Sequence, residues 1–138
     1  MKRTIVIILL LSSVFLLSCD NKKDENEPEE KLRYFEFTVL ELDESYNFYA
    51  ASSDIELLNN IDVELSIPFK DRAHHINGMV DSGNGGYNKD FDWHFIPNQW
   101  ELTQVSIELC DGYPANLEGR TPYNSCPWTS KLLEEVFL

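Results

Sequence analysis

The sequence predicts an α+β domain: a small antiparallel sheet covered by a short helix and tied by one disulfide. Three observations carry that expectation. Alternation with aromatic or β-branched residues on one face recurs at Arg33–Leu40 and at Thr103–Leu109, which is the pattern of half-buried strands. Between them, residues 53–61 combine a helix start with apolar residues at helical spacing. Two late cysteines, Cys110 and Cys126, form an even pair once the first cysteine is assigned elsewhere.

The chain opens with Lys2 and Arg3, followed by the nearly uninterrupted apolar run Ile5–Leu17 of 13 residues. A bilayer needs roughly 20 helical residues, so 1–18 reads as a secretory signal. It closes on Leu16-Leu17-Ser18-Cys19, which resembles a bacterial lipobox. In that reading Cys19 is the first mature residue and carries acyl chains such as palmitate. More than one chain makes such an anchor stable, because each buried methylene contributes about 0.8 kcal/mol. An ordinary signal with a chance cysteine is the plain alternative.

Residues 19–31 follow as a lipidated tether. Asp20–Lys31, DNKKDENEPEEK, has no apolar residue but Pro28, so it has no surface to bury against its ordering entropy and is expected to be disordered. A charged run after a lipid cysteine resembles the surface-export signal of some lipoproteins, and the expectation leans to the outer membrane. Asp20 directly after Cys19 resembles an inner-membrane retention signal instead.

The remaining 32–138 suits one domain with a modest core. Arg33–Leu40 is the first strand, with Phe35, Phe37 and Val39 on the apolar face. Asp43-Glu44-Ser45 turns, and Tyr46–Ala51 returns as a hairpin partner. Ser53-Asp54-Ile55-Glu56 fits a capping box, and Ile55, Leu58 and Ile61 then form the inner side of a helix over 54–61. Val63–Phe69 reads as strand or loop, with Pro68 against a strand. His75–Val80 is a strand containing Gly78, and Asp81–Asp90 a glycine-rich loop. Phe91–Ile96 is the next strand, Pro97-Asn98 a turn, and Trp100–Cys110 the long strand around which the domain is built. Tyr113–Ser125 reads as irregular. Trp128–Phe137 suits a helix through Leu132, Leu133 and Val136, with a strand as the alternative.

With Cys19 taken by lipid, export into an oxidising compartment makes Cys110–Cys126 a disulfide by default. Two buried free thiols are the other arrangement, and the absence of a CxxC spacing argues against redox or zinc chemistry. Three histidines remain, His74, His75 and His94. If His75 and His94 meet across neighbouring strands, Asp111 or Glu108 completes a two-histidine, one-carboxylate site; a histidine hydrogen-bonded in the core is the simpler expectation. Asp81, Asn84, Asn88, Asp90 and Asp92 offer hard oxygens for calcium, without the EF-hand spacing. No serine-protease order, nucleophile elbow, HExxH or phosphate loop occurs in the sequence. No cofactor is implied.

RYFEFTV at 33–39, His75-Ile76-Asn77-Gly78, Trp93-His94-Phe95, IELCDG at 107–112 and CPWTSK at 126–131 follow one order. Together they resemble a small secreted bacterial domain similar to the N-terminal domain of a slime-mould calmodulin-binding protein, over almost all of 33–136. IELCDG and CPW are the most specific parts, and Phe91 fills a further aromatic position of the pattern. The segment Ile61–Lys70 and the lipobox depart from it. The resemblance implies the fold unit and the disulfide more than an activity. It also implies calmodulin binding, which the composition opposes: calmodulin targets are basic amphipathic helices, and this chain has 24 Asp and Glu against 11 Lys and Arg, net −13. That balance equally excludes nucleic acid as the partner class.

The function expected is a membrane-anchored envelope lipoprotein with a non-enzymatic domain that binds a protein, peptide or glycan. Tyr87, Trp93, Trp100 and Trp128 are the aromatic candidates for its face. A metal-dependent enzyme using His75, His94 and a carboxylate is the second reading. The third is a secreted peptidase inhibitor presenting the Cys110–Cys126 loop.

Overall fold

The computed structural model describes residues 31–41, 44–110, 112 and 122–138. The stretch read as leader and tether up to residue 30, residues 42–43, Asp111 and the segment 113–121 lie outside them. Strands β1 (Arg33–Glu41) and β2 (Glu44–Ser52) form the expected hairpin, Phe37 opposite Phe48. Helix α1 (Ile55–Ser66) and a 3-10 turn (Phe69–Asp71) lead to β3 (His75–Ser82) and β4 (Trp93–Thr103). A second 3-10 turn (Glu108–Cys110), β5 (Tyr123–Ser125) and β6 (Ser130–Val136) complete the chain. All pairings are antiparallel, in two three-stranded sheets ordered β2-β1-β6 and β4-β3-β5. The antiparallel sheet expected is thus present as two.

Both sheets and the helix feed one core. Phe35, Phe37 and Phe48 come from the first sheet, Trp93, Phe95 and Trp100 from the second, and Leu57 and Ile61 from α1. Phe48 meets Trp93 and Phe95 with ring centroids 5.7 Å apart in each case. Trp100 stands edge-on to Phe37 at 5.8 Å. Burial of these rings supplies most of the drive to fold.

Several expectations about single elements are corrected. The alternation over Thr103–Leu109 is not a strand: β4 stops at Thr103. His75 is the first residue of β3 and pairs with Thr103, so β3 offers nothing for residue 104 onward to pair with, and an unpaired strand has no satisfied ladder. Pro97-Asn98 is not a turn between strands but a bulge inside β4, where the register jumps from Gly78↔Trp100 to Val80↔Phe95. Asn98 takes φ 62° there, a left-handed backbone that asparagine tolerates better than most residues. Of the two forms open to the terminal element, the strand is found: β6 pairs with β1 through Phe37↔Leu132. Tyr123–Ser125, read as irregular, pairs with β3.

A further correction concerns the helix. Its cap is Asp54, whose Oδ1 accepts the Leu57 N–H at 2.8 Å. Ser53 is engaged by Asn98 instead: Asn98 Oδ1 accepts the Ser53 N–H at 2.8 Å, and Asn98 Nδ2 donates to Ser53 Oγ at 3.1 Å. The buried stripe is Leu57, Ile61 and Glu64, one step round from the expected face, and Ile55 is exposed. The helix passes through Asn59-Asn60, both exposed, and ends before Pro68, where the residue ahead of proline is forced out of helical backbone. Arg72 then covers its end. It donates to Leu65 O and Ile67 O, and across to Leu132 O and Leu133 O of β6. A guanidinium supplies the several fixed donors that such a junction needs.

A second arginine, Arg33 of β1, also links α1 to β6. Arg33 donates twice to Glu135 at 2.8 and 2.7 Å and to Asp62 at 2.7 Å. Those hydrogen bonds hold the carboxyls of Glu135 and Asp62 below the usual carboxylate range. Carboxyls with lowered values contribute stability above their ordinary titration range, and lose it as pH falls through the lowered values. We expect Arg33→Gln to cost about 0.5–1 kcal/mol near pH 6, since the network is partly exposed and screened. By pH 3 the gap to wild type should narrow in urea titrations. A gap that is the same at both pH values would disprove the linkage.

Candidate functional site

Alternation along the second sheet decides which side chains it offers. Ile76 and Val80 of β3, and Trp93, Phe95 and Trp100 of β4, enter the core. The intervening residues therefore share the outer face: His75, Asn77 and Asp81 of β3, and Thr103, Glu101 and His94 opposite them. Asn124 of β5 adds to the same face beside Met79.

Two clefts mark this face. One, of about 340 Å³, is lined by Ala73, His75, Gln104, Val105, Ser106 and Trp128. Freed of a strand partner, residues 104–107 bend across the sheet, and Ser106 Oγ meets His75 Nε2 at 2.7 Å. That contact helps to bury a histidine that stands on the outer side of its sheet. The other cleft, also about 340 Å³, is lined chiefly by polar groups, among them Asn77, Gln99, Glu101 and Asn124.

Beside the first cleft lies an apolar ridge. Val105, Ile107 and Leu109 are 82%, 67% and 84% exposed, and Trp128 is 42% exposed. Their backbone is nonetheless anchored. Thr103 Oγ1 donates to Val105 O at 3.0 Å, and Tyr123 Oη donates to Leu109 O. The Cys110–Cys126 disulfide closes the far end, its Cα atoms 5.1 Å apart, with Cys126 N–H donating to Cys110 O at 2.8 Å. The turn that carries Trp128 follows at once, held by Ser130 N–H on Pro127 O. Replacing both cysteines with serine is expected to cost roughly 3 kcal/mol, from the added freedom of the unfolded chain. A urea midpoint identical with and without reductant would contradict this.

The histidines do not assemble a metal centre. His75 and His94 share the outer face, but His75 pairs with Thr103 and His94 with Asp81. The two rungs are six residue steps apart along β3, about 20 Å of strand. Asp111 lies outside the described residues. Among the described residues no three His, Cys, Asp or Glu side chains are grouped to hold a metal ion. His94 Nδ1 meets Gly83 O at 2.7 Å and the ring packs edge-on to Tyr87. Its ring fills the space a side chain at Gly85 would need. Tyr87 is buried with its hydroxyl on Phe95 O, and burial pushes that phenol up. His74 turns away from His75: its Nδ1 lies 2.6 Å from Glu64 Oε2, and its N–H donates to Glu64 Oε1 at 3.2 Å. Glu64 is 2% exposed, and an acid at the third position of an apolar helical stripe was the sign of it in the sequence.

Three of the five side chains considered for calcium are engaged in holding the loop. Asp81 Oδ1 accepts the Ser82 N–H, and Asn84 Oδ1 the Gly86 N–H at 2.9 Å. Asn88 is buried, accepting from Tyr49 N–H at 3.0 Å and donating to Trp93 O at 2.7 Å. It latches the loop onto β2. Of the loop considered for peptidase inhibition, Gly112 and Pro122 onward are described and the rest is not. Of the aromatic candidates, Tyr87, Trp93 and Trp100 are buried and only Trp128 faces solvent. Ser106, Asn77, Glu101 and Asn124 were not singled out from the sequence. The polar alternation of His75 with Asn77, and of Glu101 with Thr103, was the available signal.

A family model described as the BP-74 N-terminal domain matches residues 31–137. No curated protein and no solved structure matches the chain.

Proposed function

Because the chain belongs to the BP-74 N-terminal domain family, we propose that it presents this domain as a non-enzymatic binding module on a lipid anchor. The anchor is Cys19, acylated after removal of residues 1–18, and the following acidic residues act as a spacer from the bilayer. The compartment is the cell envelope, at the outer membrane. The observation that carries the binding role is the ridge of Val105, Ile107 and Leu109 with Trp128 beside it. Isolated exposed apolar residues are ordinary, but several large ones within one short segment, with a tryptophan sharing a cleft with its first member, are characteristic of interaction surfaces. Here the row sits on backbone fastened by a disulfide and several hydrogen bonds, so little ordering entropy opposes docking.

Two experiments test the parts separately. A photo-crosslinking residue at Ile107 or Leu109, in the full chain in its native envelope, is expected to give discrete adducts. The same residue at Ile55, equally exposed on α1, serves as the control and should give none. Equal labelling from all three positions, or none from the ridge, would remove the ridge as the binding surface. Mass spectrometry of the mature N-terminus is expected to find a diacylated or triacylated Cys19, and Cys19→Ala to release the protein from membranes. An unmodified Cys19 overturns the anchor.

A further inference from the structure

The polar cleft on the outer face of β4-β3-β5 contains a wired row of side chains, one from each strand. Asn124 Nδ2 of β5 donates to Asn77 Oδ1 of β3 at 3.3 Å, and Asn77 Nδ2 donates to Glu101 Oε1 of β4 at 3.3 Å. We propose that this row is the contact surface for a neutral saccharide chain. The inference rests on the binding-module reading and names the ligand class.

The reasoning is one of matching chemistry. Asn77 accepts from one neighbour and donates to the other, and Asn124 and Glu101 are each held at one polar atom. The planes of the row are therefore set before any ligand arrives. What remains available is a mixed set: a carbonyl oxygen and a second N–H on Asn124, a second N–H on Asn77, and a second carboxylate oxygen on Glu101. Adjacent sugar hydroxyls, each both donor and acceptor, complement such a mixture. The carboxylate end adds a charge-assisted acceptor.

Charge narrows the class. Among the described residues no lysine or arginine lines this cleft, and the whole chain is at net −13, so sulfated, phosphorylated or uronic-acid polymers are repelled. A peptide gains little at this end, where Trp100 is buried and, among the described residues, no exposed apolar side chain lines the cleft. The face continues toward His75, two residues from Asn77 on the same strand, and so to the cleft with Trp128. An exposed indole there offers an apolar plane with a polar edge, suited to the C–H face of a sugar ring.

The test is affinity electrophoresis of the full chain in detergent micelles, through gels containing laminarin, xylan, mannan, starch or dextran. Heparin and polygalacturonate serve as anionic comparisons. Retardation by at least one neutral polymer is expected, and Asn77→Ala with Asn124→Ala should weaken it about tenfold. Near-UV circular dichroism of the tryptophans verifies that the variant is folded; if it is not, Glu101→Gln, an exposed substitution that keeps the side chain's size, takes its place with the same expected weakening. Retardation by none of the neutral polymers overturns the proposal. So does retardation that both variants leave intact, or retardation by the anionic polymers alone. If crosslinking from the ridge succeeds while every neutral polymer fails, the binding module stands and its saccharide class falls.

Discussion

Gly78→Ala is expected to destabilise the domain by more than about 3 kcal/mol, enough to unfold much of a small protein. The reason is space, not backbone freedom. Gly78 points into the core opposite Trp100. A Cβ there would lie 2.3 Å from Trp100 Cβ, 2.5 Å from Trp100 Cα and 2.6 Å from Gln99 O. These are backbone or near-backbone atoms of the neighbouring strand, so no side-chain rotation relieves the overlap. The β3–β4 pairing has to part at its centre, next to the bulge where the register already jumps. Soluble yield and the urea midpoint measure the effect. A variant melting within about 2 °C of wild type would show that the strands can separate at little cost.

Trp100→Ala is expected to cost about 3–5 kcal/mol, the range for removing a buried aromatic. Trp100 lies at the seam of the two sheets. Its ring meets Phe35 and Phe37 of β1 edge-on at 6.3 and 5.8 Å. Its Nε1 donates to Ala51 O of β2 at 2.8 Å. Trp100→Phe separates the two contributions: it keeps most of the apolar contact and strands a buried carbonyl. A loss of about 1–3 kcal/mol is expected from that alone. If Phe proved as stable as Trp, the hydrogen bond between the sheets would be irrelevant to stability, and the seam would be held by ring packing only.

The elements that were legible share a property. In β1, Phe35, Phe37 and Val39 alternate with Tyr34, Glu36 and Thr38, and a partner strand lies on each side. Pattern and pairing agree there, so the pattern was enough. Residues 103–109 carry an equally good alternation, and it misleads, because β3 starts at His75, which pairs with Thr103, and leaves 104 onward without a partner on that strand. Alternation states what a segment can be; a ladder requires a second segment in reach. Leu132, Leu133 and Val136 failed in the opposite sense, fitting a helix until the edge of β1 drew them into β6. At the helix start, Ser53 and Asp54 are both good caps locally. Asn98, 45 residues on, takes Ser53 and leaves Asp54 to cap.

Along the candidate site the same division holds. The polar alternation around Asn77 and Glu101 is visible in the sequence, but Asn124 joins them only through the short β5 pairing. Likewise Val105, Ile107 and Leu109 are apolar at alternate positions in the sequence, but the segment is no strand and all three are exposed.

Local chemistry, readable from the chain alone, determined the hairpin, the presence of a helix after it, strand β3 and the pairing of the last two cysteines. Each depends on neighbours in sequence or on a count of two. Which apolar row is buried, which histidine finds a carboxylate, and which face is left for a ligand were decided only by tertiary structure. Those outcomes depend on where a distant strand begins and ends, and the residues concerned carry no record of that in their own order.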